Sequence, residues 1–254
     1  VFGIYRRSFD VPPPPAPAQP NDPPGTIYAE SLKETIERAV PFYDQHIAPL
    51  RAAGYNVLIA AHGNSERGIS TRMFGFSTDE VQRITFPLGT PLRVQFNQDG
   101  TVARVQVLGE SPDQRNLDDF TAVLTAKGIP WTTESLPASE YGEVILLRHG
   151  ETISSDTVEE GTVLDGITAV KGGFFAGWMN VGLTEKGRAS AQTAGELLKA
   201  AGIRIDVAFT SSTPDGAKLQ AILLKNAGSG MFEPPRYSSD LGDLEQLRRH
   251  FPTV

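Results

Sequence analysis

The chain has 254 residues and a formal net charge of −7, from 23 Lys and Arg against 30 Asp and Glu. That acidic balance excludes a broad electrostatic footprint for nucleic acid or anionic lipid, although basic side chains can still converge on a small anion. The absence of cysteine excludes disulfides, thiolate metal sites and cysteine nucleophiles, and 39% apolar residues are enough for a sizeable core in one large or two small domains.

No apolar stretch reaches the ~18 residues of a membrane span. The opening run Val1-Phe2-Gly3-Ile4-Tyr5-Arg6-Arg7 does not read as a signal peptide, so a cytoplasmic protein is expected. The segment Val11-Pro12-Pro13-Pro14-Pro15-Ala16-Pro17 fixes φ at successive residues and removes their donors, which predicts an extended covering loop. Ser31-Leu32-Lys33-Glu34 has capping-box spacing, and Leu32, Ile36, Val40, Tyr43, Ile47 and Leu50 recur at helical period. Pro41 is expected to kink this helix and Gly54 to end it. The unalternated apolar run Tyr55 to Ala61 predicts a strand buried on both faces, ending in His62-Gly63-Asn64-Ser65.

A short helix is expected from Ser77. An antiparallel hairpin is expected from Leu92–Phe96 and Val102–Val107, around the turn Asn97-Gln98-Asp99-Gly100. Leu117 to Ala126 reads as one helix, and Ile129 to Tyr141 as irregular connector. A second buried strand, Glu143 to Leu147, ends in Arg148-His149-Gly150-Glu151-Thr152. Ile153 to Gly173 reads as a polar surface insertion. Thr184 caps a helix that stops at Ala201-Gly202, Asp206 to Thr210 is a third strand, and Thr213-Pro214 opens another helix. Alternating strands and helices predict a mainly parallel α/β sheet.

Two of the four histidines thus follow buried strands directly and precede glycine, where parallel sheets place their ligands. Imidazole is a good nucleophile toward phosphorus, and arginine forks suit phosphate oxygens. No third ligand is spaced to complete a metal site with His62 and His149. Arg6-Arg7 is a second pair of candidate phosphate forks, although alone it reads as a solvated charge pair.

Leu147-Arg148-His149-Gly150-Glu151-Thr152 resembles the signature of the histidine phosphatase superfamily. Within it, three further segments resemble the cofactor-dependent phosphoglycerate mutases: Tyr5 to Pro15, Glu30 to Arg38, and Val57 to Ser65 with its Ala61-His62-Gly63-Asn64-Ser65. So does the stretch from Gly177-Trp178 to Gly187. The resemblance implies a three-layer α/β/α fold of the phosphoglycerate mutase type. The order is rotated, however: residues 1–109 resemble the family's C-terminal half, 143–254 its N-terminal half, and 110–142 would connect them. A single circularly permuted domain over 1–254 is the simplest expectation. A window across two tandem copies and a half-swapping dimer are the alternatives.

The same resemblance implies roles. His149 would accept the phosphoryl group, His62 would stabilise it in transfer, and Arg148, Asn64 and the Gly63 backbone would hold its oxygens. Arg6 and Arg7 would clamp the other anionic group of the substrate, and Arg249 stands where the family has a substrate-binding lysine. The phosphoryl donor would be 2,3-bisphosphoglycerate and the substrate a small phosphorylated three-carbon acid, with no metal, nucleic acid or membrane; a homo-oligomer is open. Departures are Asp215 at a phosphate-contacting arginine, with Lys218 one turn later, and Ser238 at the proton-shuttling glutamate, with Asp240 nearby. A phosphoglycerate mutase with reduced turnover is the leading expectation. A histidine-type phosphatase and a non-catalytic phospho-ligand binder are the alternatives.

Overall fold

Ser31 starts the first helix, α1 (Leu32–Phe42), with both halves of the capping box formed: its Oγ accepts from the Glu34 amide, and Glu34 Oε2 accepts from the Ser31 amide. In the computed structural model, which describes residues 8–15, 29–152, 163–164, 167–168 and 183–210, this chain does not stop at Pro41. Pro41 has no N–H to give, and the wider turn that follows, a π-segment over Tyr43–Ile47, carries the chain on into α2 (Ala48–Ala52). Gly54, at φ 90°, then breaks the helix as expected.

Strand β1 (Val57–Ala61) leads directly into helix α3 (Gly63–Met73), followed by α4 (Thr78–Arg83) with a second complete capping box on Ser77. The expected antiparallel hairpin of β2 (Leu92–Phe96) and β3 (Val102–Val107) forms, with a register shift between Gln95 and Phe96, and α5 (Gln114–Ala126) follows. The connector is more ordered than its sequence suggests: β4 (Trp131–Thr132) adds a two-residue parallel strand beside β3. Then come β5 (Val144–Arg148), the antiparallel pair β6 (Val163–Leu164) and β7 (Ile167–Thr168), α6 (Glu185–Ala200) and β8 (Val207–Thr210). The expected helix at Thr213-Pro214 lies outside the described residues, as do Ala16 and Pro17 of the proline segment.

The main sheet has the order β4-β3-β2-β5-β1-β8. β1 runs parallel to both β5 and β8, with Ala61 opposite Arg148, whereas β2 is antiparallel to both of its neighbours. The sheet is therefore mixed, parallel where the two His-Gly segments emerge. Its side chains alternate between two cores. Val57, Ile59, Val144 and Leu146 pack with Leu32, Ile47, Ile69 and Phe120 on one face. Leu58, Ile145, Leu147 and Ala208 pack with Ala194 and Leu198 of α6 on the other. Helices on both faces make the three layers, and a fully buried Val, Leu or Ile contributes about 1.5–3 kcal/mol.

At the end of the sheet away from the histidines, Arg93 forks onto Glu143 through two bonds of 2.7 Å, and Gln95 donates to the same carboxylate at 2.8 Å. The remaining Arg93 donors meet Gln106 Oε1 and the carbonyls of Leu136 and Pro137. Both charges are nearly water-free, so the geometry has to satisfy every donor, and it does.

Candidate active site

The register of β1 against β5 ends both strands at the same level, so the residues that follow them meet. The rings of His62 and His149 stand 4.9 Å apart between centroids, edge to face at 61°. His62 is the N-cap of α3, with extended backbone, and Gly63 is the first helical residue. The Glu66 amide donates to the His62 carbonyl at 3.0 Å and is the first to find its partner in this way. The amides of Gly63, Asn64 and Ser65 precede it, leaving the positive end of the helix at the strand tips.

His149 Nδ1 lies 2.8 Å from the carbonyl oxygen of Gly150. A carbonyl only accepts, so Nδ1 carries the proton and Nε2 keeps its lone pair. Burial, then the neighbouring His62 and Arg148, push the His149 pKa down to about 3 against the opposing pull of that hydrogen bond. The imidazole is thus a neutral base and nucleophile across the physiological range. Burial and then Arg148 also favour the neutral form of His62, although the residue as a whole is exposed.

Arg148, the last residue of β5, points to the α3 face. Its guanidinium lies beside Gly63, where a Cβ would come within 3.4 Å of Nε, and Nη1 donates to the Phe86 carbonyl at 3.0 Å. Arg67 of α3 reinforces the same wall: Nε donates to the Ile84 carbonyl, Nη2 to Thr85 Oγ1, and Nη1 to Asn64 Oδ1 at 3.1 Å. That last bond takes the acceptor end of the Asn64 amide, so its NH₂ is left to donate. On the other side, Glu151 accepts from Thr184 Oγ1 at 3.0 Å and lies 3.4 Å from Lys186 Nζ, which ties the loop after His149 to the start of α6.

The structure therefore brings together His62, Gly63, Asn64, Arg148 and His149. Arg6, Arg7 and Arg249, and likewise Asp215, Lys218, Ser238 and Asp240, lie outside the described residues. Sequence reasoning missed Glu66, Arg67 and the wall Ile84-Thr85-Phe86. The one available signal was a charged pair, Glu66-Arg67, inside a segment that joins two apolar stretches. A neutral imidazole with an unprotonated Nε2, a fixed guanidinium and a helix N-terminus at one point can accept and hold a phosphoryl group.

Residues 144–228 match the model of the histidine phosphatase superfamily (branch 1). The chain is 43% identical over 108 residues to a 2,3-bisphosphoglycerate-dependent phosphoglycerate mutase of Sphingopyxis alaskensis, a match covering 38% of this chain and 46% of the relative. It is 42% identical over 110 residues to the enzyme of the same name from Nitratidesulfovibrio vulgaris, covering 39% and 43%. The chain thus spans less than half the length of these relatives.

Proposed function

We propose that this chain, whose residues 144–228 match the histidine phosphatase superfamily, is a phosphoglycerate mutase that interconverts 3-phosphoglycerate and 2-phosphoglycerate through a phosphohistidine at His149. The observation that carries the reading is the Gly150 carbonyl holding Nδ1–H, because it leaves Nε2 as the nucleophilic nitrogen beside His62. The donor set suits a phosphorylated anion: Arg148, the amides that open α3 and the Asn64 NH₂ all present N–H groups. Bound there, 2,3-bisphosphoglycerate supplies the phosphoryl group.

His149 Nε2 attacks phosphorus in line, so the N–P bond forms as a P–O bond breaks. Arg148 and the α3 amides stabilise the charge on the three equatorial oxygens. Neutral His62 adds no charge of its own and offers a hydrogen bond at the pocket mouth. Arg6, Arg7 and Arg249 are proposed to bind the far anionic group of the substrate. The leaving oxygen needs a proton, and with Ser238 at the family's glutamate position Asp240 is the proposed donor. Loss of a positioned acid costs about 10²–10⁴ in rate, so slow turnover is expected. The inverted order of the two family-like segments, 1–109 before 143–254, is proposed to be a circular permutation within one domain.

Ser238 at the family's glutamate position also favours a second reading, in which water takes the phosphoryl group from His149 and the chain acts as a phosphatase. Incubation with labelled 2,3-bisphosphoglycerate is expected to leave an acid-labile adduct that His149→Ala lacks. Adding 3-phosphoglycerate should then yield 2-phosphoglycerate. Release of inorganic phosphate instead selects the phosphatase, and no adduct in the wild type overturns both.

A further inference from the structure

A buried carboxyl group in the helix that follows His62 has no part in the chemistry so far. Glu66, one turn inside α3, has 0% of its surface exposed, and among the described residues neither carboxylate oxygen has a hydrogen-bond partner. Helical side chains lean toward the N-terminus, so Glu66 leans toward the strand tips. Two guanidiniums flank it: Arg148 from β5, whose field on Glu66 is the stronger, and Arg67 from its own helix. Both donate to the 84–86 wall, so both are held in place.

We propose that Glu66 is a positioning residue for the phosphate pocket: it keeps its proton and leaves the charge of Arg148 to the ligand, and when ionised it draws that charge back. The inference rests on the phosphoryl-binding reading above and adds to it a residue acting through Arg148.

The physical reason is a competition for one cation. An ionised carboxylate with no donor inside the protein is costly, and that cost exceeds what Arg148 and Arg67 repay, so the proton is retained well above the usual carboxylate range. Ionised Glu66 would oppose an incoming dianion and compete for Arg148. Protonated Glu66 does neither. Of the other groups near the site, His149 is neutral above about pH 3, burial and Arg148 favour the neutral form of His62, and one turn along at Gly68 the facing residues of α1, Thr35 and Ala39, carry no charge. Glu66 is therefore the group whose titration the pocket should register.

Sulfate is a suitable probe because it stays a dianion while Glu66 titrates. Calorimetric titration from the usual carboxylate range upward, as far as the protein stays folded, should show wild-type affinity falling with rising pH, by up to tenfold per pH unit for one linked proton. Glu66→Gln, neutral and of the same shape, should bind sulfate at least as tightly and without that dependence. A pH-independent wild type, or a Glu66→Gln protein with the wild-type profile, overturns the proposal. So does a failure of both proteins to bind sulfate, in which case labelling of His149 still reports separately on the mutase reading. Should Glu66→Gln not fold, infrared spectra of the wild type decide. A protonated-carboxyl band that disappears as pH rises and returns on adding sulfate supports the proposal, and its absence at neutral pH overturns it.

Discussion

The two strand tips that form the site look alike in sequence and differ in construction. After β1 the chain turns at once into a helix, so that His62-Gly63 offers backbone amides and the positive end of α3. After β5 it enters a loop in which His149 Nδ1 is held by Gly150, and the loop is pinned to α6 through Glu151 and Thr184. The glycines show the division of labour. A Cβ at Gly150 would lie 2.4 Å from the Gly187 carbonyl oxygen and 2.5 Å from Ser190 Oγ, whereas at Gly63 nothing comes closer than Arg148 Nε at 3.4 Å. One tip is closely packed at its glycine; the other has room beside it.

Substitutions can sharpen or break that contrast. The largest expected effect is His149→Ala, which should abolish the labelled adduct and lower turnover roughly 10⁶-fold, the scale of nucleophile loss in covalent catalysis. His62→Ala should keep the fold and lower the rate of adduct formation by about 10²–10⁴ through lost stabilisation of the transferring group. Gly150→Ala should cost about 1–3 kcal/mol in denaturant unfolding and displace His149, with adduct formation falling in step. Gly63→Ala should change stability by no more than about 0.5 kcal/mol. If the two glycine variants behave alike, the division between tips is wrong.

Acid supplies a further test. Because the folded pKa of His149 is depressed, its contribution to stability is present above about pH 6.5 and is lost as pH falls toward about 3. The slope is at most about 1.4 kcal/mol per pH unit, and less to the extent that water reaches the ring. His149→Ala should flatten that slope in urea titrations. Adduct formation in the wild type should decline below about pH 5 as His149 protonates.

Much of this was legible in the sequence because it depends on short-range pattern. Continuous apolar runs marked β1 and β5, Ser31 and Ser77 marked helix starts, and the His-Gly ends of two strands marked the site. Helix α3 was not legible. Its sequence Gly63-Asn64-Ser65-Glu66-Arg67-Gly68-Ile69-Ser70-Thr71-Arg72-Met73 has no apolar stripe, yet Glu66, Arg67 and Ser70 are buried. What fixes it is tertiary: Arg67 finds its acceptors in Ile84 and Thr85, far along the chain. Pro41 marked an irregularity in the helix, and a π-segment at Tyr43–Ile47 follows it. The two residues of β4 were too few to leave a period.

The interleaving of the sheet carries a consequence for how the polypeptide behaves when cut. β1 comes from the first segment and is hydrogen-bonded on both sides to strands of the second, while Arg93 and Gln95 bind both Glu143 and the carbonyls of Leu136 and Pro137. A nick elsewhere in the connector should therefore yield two fragments that co-migrate and melt together, held as a native-like pair without a covalent bond between them.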